Sequence, residues 1–221
     1  DHAINAAGTG DTIKLPAADY SNVVINWPNT NNIILSGEGI GKTTLEGSGV
    51  TPIISIPGVT ATIKGISFNG VGSTQSSTIV VSGGNAEISN CWFVNSSATV
   101  GSTLELTNVI WEGGSGIIGS SDATISAVNS TFYGNTGGAF STEAGCGHNI
   151  VNCILWNNTP AQITGEGTVT AEYSDIQNGW VGIGNISAEP VFISAEGSDF
   201  HLKAGSPCID GGTSEGAPST D

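Results

Sequence analysis

The sequence predicts an all-β chain wound as a right-handed parallel β-helix of about 22 residues per coil, with a short helical cap at its N-terminus. Three observations carry that expectation. Six segments repeat without gaps, from ATIKGISFNG at Ala61 to VTAEYSDIQN at Val169. Within each segment apolar residues alternate as they do along a strand, and the alternation slips by one residue at a fixed position. Windows with apolar residues at i, i+3, i+4 and i+7 are missing, apart from one turn at Asp1 to Ala7 that stops at Gly8.

The slip position is filled by Gly65, Asn90, Asn108, Asn129, Asn152 and Tyr173, with separations of 25, 18, 21, 23 and 21 residues. Two residues before it stand Ile63, Ile88, Leu106, Ala127, Ile150 and Ala171, and four before it Ala61, Ala86, Leu104, Ile125, His148 and Val169. These point inward. One residue after it lie Ile66, Cys91, Val109, Ser130, Cys153 and Ser174, and three after it Phe68, Phe93, Trp111, Phe132, Leu155 and Ile176. They point inward as well, so the slip residue turns a corner between two strands. Asparagine tolerates the left-handed backbone such a corner needs and bonds to its own copies above and below, which predicts a ladder of Asn90, Asn108, Asn129 and Asn152. Five residues after the corner, Gly70, Asn95, Gly113, Gly134, Asn157 and Asn178 end the strand. A third strand in the variable stretch closes each coil. One domain then spans the chain: cap and first strand at 1–15, first coils at 16–60, regular coils at 61–180, and a C-terminal strand and tail at 181–221.

The repeat columns, the opening DHAINAAGTGDTIKLPAADY with NNIILSGEGIGKTTLEG, and the closing DFHLKAGSPCIDGG together resemble the right-handed parallel β-helix (pectin-lyase-like) superfamily. The closing segment is similar to one that ends β-helix domains of secreted bacterial and archaeal surface proteins. Nearly the whole chain is covered. The resemblance implies a fold and an extracellular, cell-surface address more than it implies a reaction.

Charge narrows the partners. The chain has 19 acids against 4 bases, a formal net charge of −15, and no arginine. Such a surface repels nucleic acid and anionic membranes. No apolar run is long enough to span a bilayer, so membrane insertion is not expected. The start at Asp1, without an initiator Met or signal-like segment, fits a processed or excised fragment. The GKT at Gly41 to Thr43 lacks the first glycine of a phosphate loop, and the strand-like TTLEG follows it where a helix must begin.

Polysaccharide lyases and hydrolases share the fold that the resemblance implies, so catalysis needs a direct test against the residues. A lyase base is commonly Lys or Arg, and only Lys64 of Lys14, Lys42, Lys64 and Lys203 falls in the central repeats. The paired aspartates, Gly-His-Gly and Arg-Ile-Lys of a polygalacturonase-type hydrolase are absent, and Gly147-His148-Asn149 is the nearest approach. No catalytic residue is assigned. Glu87 and Glu105 stack outward on successive coils as a candidate calcium pair, the one cofactor the sequence suggests. Outward Trp92, Ile110 and Ile154 make an apolar stripe, to be covered by a second subunit, by sugar rings, or by the chain itself. Asn95, Asn157 and Asn185 are candidate glycosylation sites. Cys91 and Cys153 share a column three coils apart and cannot pair, which leaves Cys146 and Cys208 as the candidate disulfide.

The expected function is that of a non-enzymatic extracellular module, structural or adhesive, in a cell-surface layer, sheath or filament. Its partners would be copies of itself, as a homo-oligomer or polymer, with a surface polysaccharide as a further one. The alternative is a β-helix that binds or cleaves polysaccharide.

Overall fold

A computed structural model describes residues 2–70 and 77–214. Asp1 of the expected cap and residues 215–221 of the tail lie outside them. The chain is a parallel β-solenoid of about 7 turns, spaced roughly 23 residues apart. Three faces follow one another in each coil. The first carries Ser97–Val100, Gly116–Gly119, Phe140–Thr142 and Ile163–Gly165, and the second Thr103–Thr107, Thr124–Val128, Gly147–Val151 and Thr168–Glu172. The third runs from Ala18–Tyr20 through Trp92–Val94, Ile110–Glu112, Thr131–Tyr133 and Ile154–Trp156 to Asp175–Ile176. Two long strands, Ile54–Lys64 and Ile79–Ser89, span the first and second faces. Gly84 in the second of them has a left-handed φ of 71°, and a side chain there would collide with the Val59 backbone.

Period-2 alternation explains why these residues form strands. Leu104 and Leu106 are buried while Glu105 between them is exposed, and Ile63, Ile88, Leu106 and Ile150 fill the same interior column. On the third face the alternation resumes after the corner, and the inward Phe68, Phe93 and Trp111 stack ring upon ring. All six corner residues have left-handed backbone: φ is 66° at Gly65, 52° at Asn90, 54° at Asn108, 50° at Asn129, 55° at Asn152 and 50° at Tyr173. Asn95, Gly113, Gly134, Asn157 and Asn178 at the strand ends are also left-handed.

At the corner the asparagine side chains bond in two pairs. Asn108 Nδ2 donates to Asn90 Oδ1 at 3.2 Å, and Asn152 Nδ2 to Asn129 Oδ1 at 3.0 Å. The ladder lies on the outside of the corner, with Asn90 exposed and Asn129 half-buried, because the left-handed turn throws the side chain away from the interior. Asn108→Ala should therefore cost about 1–2 kcal/mol in a denaturant titration, combining one hydrogen bond with an alanine forced into the left-handed region. Asn108→Gly should cost clearly less, since glycine keeps the backbone. Equal losses for the two would show that the corner is not strained.

The two ends differ. Helix His2–Ala6 inserts the buried Ile4 into the first coil. After Asp175–Ile176 the chain does not add a further coil. Phe192–Ser194 and Asp199–Leu202 form an antiparallel hairpin laid along the outside of the third face, so the tail expected as one more strand is a strap instead.

Candidate functional site

The corner, the third face and the strap together enclose a cleft of about 810 Å³. Its floor is the ladder of Asn90, Asn108, Asn129 and Asn152, placed there by the repeated left-handed turn. Ile110 and Ile154 line it from the third face, and Phe200 and Leu202 line it from the strap. The cleft offers amide and hydroxyl groups beside apolar surface, with Asp175, His201 and Asp210 its ionisable groups apart from thiols and the Tyr173 phenol.

Two buried carboxylates fasten the strap. Glu112 accepts from Trp92 Nε1 at 2.9 Å and from Ser198 Oγ at 3.0 Å. Burial pushes its carboxyl above the usual range, and those two hydrogen bonds partly oppose the rise. Asp175 accepts from Cys208 Sγ at 3.0 Å and from the Ala188 amide at 3.1 Å. Burial raises it too, against the pull of those donors. The same burial, with the neighbouring Asp175, pushes the Cys208 thiol up to about 12, which leaves it protonated and a poor nucleophile. Tyr133, Phe192 and Phe200 close the strap with edge and tilted ring contacts at 5.3 to 6.0 Å.

The apolar stripe lies beneath this strap. Trp92, Ile110, Thr131 and Ile154 are neighbours in register and all half-buried, so the chain itself provides part of the cover. Glu87 and Glu105 do sit opposite each other on successive coils, both exposed. Glu87 accepts from Thr62 and Glu105 from Asn85, and no third His, Cys, Asp or Glu joins them among the described residues. Asn95 and Asn157 occupy exposed turn positions. Asn157 Nδ2 donates to the Tyr133 hydroxyl at 3.4 Å, whereas Asn185 is half-buried with its Nδ2 committed to the Ala171 and Trp180 carbonyls.

In place of the expected disulfide, Cys146 and Cys208 are free thiols in different surroundings. Cys146 is buried and donates to the Gly119 and Ser120 carbonyls, whereas Cys208 lies outside the third face on Asp175. Cys91 and Cys153 are buried free thiols, both pushed up to about 12 by burial.

One feature of the corner between the third and first faces escapes the sequence reading. Asn135 and Asn158 lie on successive coils, fully buried, with Asn135 Nδ2 donating to Asn158 Oδ1 at 2.8 Å and Asn158 Nδ2 to Gln162 Oε1 at 2.6 Å. Gln162 continues the chain to Gln177 at 3.1 Å. The recurrence of Asn six residues after the corner, in FYGN and LWNN, is the signal that marks it.

No family model matches the chain, and no curated protein does. Among solved structures it is similar to ORF18 of Geobacillus virus E2, at 14% sequence identity and a TM-score of 0.43. The match covers 78% of this chain and 44% of the viral one, so the chain spans less than half that protein's length. Among the described residues no helix is long and apolar enough to cross a membrane.

Proposed function

We propose that the chain is a non-enzymatic structural or adhesive module of an extracellular surface layer, sheath or filament, and that it associates with copies of itself through its C-terminal end. The observation that carries this reading is the open last coil. Ile163–Gly165 pairs with Phe140–Thr142 on one side, and Thr168–Glu172 with Gly147–Val151, and neither has a strand on its other edge among the described residues. The following segment crosses only part of that end, with the Tyr173 amide donating to Ile183 and the Ile176 amide to Ile186. In doing so it exposes Val181 at 97% and Ile183 at 65% of their surfaces. Free strand edges beside exposed aliphatic groups favour strand pairing.

Sedimentation at tens of micromolar is expected to show species larger than a monomer. Val181→Asp combined with Ile183→Asp should weaken the association at least tenfold, about 1.4 kcal/mol, with thermal unfolding unchanged. A sharp monomer mass for the unsubstituted chain would overturn self-association. New unsaturated ends on a uronate polymer would overturn the non-enzymatic part. The alternative of polysaccharide binding draws on the amide-floored cleft, and a thermal shift with neutral oligosaccharides would favour it.

A further inference from the structure

The interior of the solenoid holds one imidazole that the packing does not explain. His148 lies in the inward column between Ile125 and Val169, only 4% exposed, and neither of its ring nitrogens has a hydrogen-bond partner. Orphaned buried donors and acceptors are rare and costly, and an ion at the site is one of the few physical reasons for them. Cys146 stands two residues earlier on the same inward side and is also buried. Both converge on Gly119 of the facing strand. A Cβ at position 119 would stand 3.1 Å from His148 Cε1, 3.3 Å from Cys146 Sγ and 3.4 Å from His148 Nε2, so glycine at this position lets the thiol and the imidazole edge pack against the same spot. Phe140 tilts against the imidazole at 5.8 Å, and the Oγ1 of nearby Thr142 is already committed to Thr164 and Gly167.

We propose that Cys146 and His148 form an internal two-ligand site for a soft monovalent d¹⁰ cation of the copper(I) and silver(I) class. Ligand softness selects such an ion, since thiolate and imidazole suit it and there is no carboxylate in the pair for a hard cation. Charge balance selects it again. On binding, the Cys146 thiol gives up its hydrogen bonds to the Gly119 and Ser120 carbonyls and releases its proton to solvent, the sulfur bonds to the metal, neutral His148 donates its lone pair, and no electron is transferred. One thiolate, one monovalent cation and one neutral imidazole sum to zero, which an apolar interior accepts. A divalent ion on the same pair would leave a buried positive charge.

The test uses the full chain with Cys208→Ser, which removes the accessible thiol, and silver(I) nitrate in chloride-free buffer. The ion is added both to the folded protein and during refolding, so that slow entry into the core is not mistaken for absence of a site. One equivalent should bind, raise the unfolding temperature and shift the His148 imidazole resonances. Cys146→Ala and His148→Leu, each made separately, should weaken binding at least tenfold and remove the thermal shift. Stoichiometric binding that survives both substitutions would overturn the proposal, as would an unfolding temperature that silver leaves unchanged under both protocols. Silver retained by Cys146→Ala but lost when Cys91 or Cys153 is replaced would also overturn it.

Discussion

Trp111→Ala is expected to remove about 3–5 kcal/mol of unfolding free energy. The indole is fully buried and stacks on Phe93 with centroids 4.0 Å apart, and Phe93 stacks in turn on Phe68 at 4.7 Å. Its Nε1 donates to the Ser96 carbonyl at 3.0 Å, so truncation also leaves a buried acceptor without its partner. Collapse around the lost ring is restricted, because the spacing of the coils is held by the ladder that pairs Ile110–Glu112 with Trp92–Val94 and Thr131–Tyr133. The cavity therefore persists. Trp111→Phe, which keeps a ring in the stack, should lose less than half as much in the same urea titration. A loss below about 1 kcal/mol for the alanine variant would show that the aromatic column does not hold neighbouring coils together.

That column is legible in the sequence alone, and the reason is the repeat itself. A position that recurs every coil is read several times over, so Phe68, Phe93, Trp111 and Phe132 identify one another as inward even where a single strand would be ambiguous. The same redundancy marks the corner, where asparagine recurs because the backbone is left-handed. Features that occur once carry no such signal. The hairpin of Phe192–Ser194 and Asp199–Leu202 is unrepeated, and its sequence reads as one more strand followed by a tail, because a strand's sequence does not say what it pairs with. Without the hairpin, nothing in the sequence tells which of the three possible covers lies over Trp92, Ile110 and Ile154, or that Glu112 and Asp175 anchor a strap. Asn135 and Asn158 stand next to turns, where polar residues commonly face solvent. Here they are buried because each satisfies the other and the nearby backbone. The Cys146 and Cys208 assignment rested on elimination alone, which says nothing of where two side chains stand.

His148→Leu is expected to stabilise the metal-free protein and to remove part of its sensitivity to acid. Leu104 occupies the same interior column two coils away, so a leucine is compatible with the stack. At neutral pH the gain should be about 1–3 kcal/mol, the cost of holding unpartnered polar nitrogens out of water. Burial lowers the His148 pKa below its ordinary 6.5. The unfolded chain, with its imidazole near 6.5, then takes up a proton that the folded chain does not. Stability is thus fully present above about pH 6.5 and declines as the pH falls toward the folded-state value, at no more than about 1.4 kcal/mol per pH unit for one proton. Glu112 and Asp175, raised by burial, act with the opposite sign at lower pH, where their protonation favours the folded state. They are common to both proteins and cancel in the difference. Unfolding free energies of the two proteins measured from pH 8 to pH 4.5 should therefore diverge below about 6.5, the leucine variant gaining with each step. Parallel curves over that range would mean that the imidazole reaches water or a proton acceptor in the folded state and is not sealed in the core.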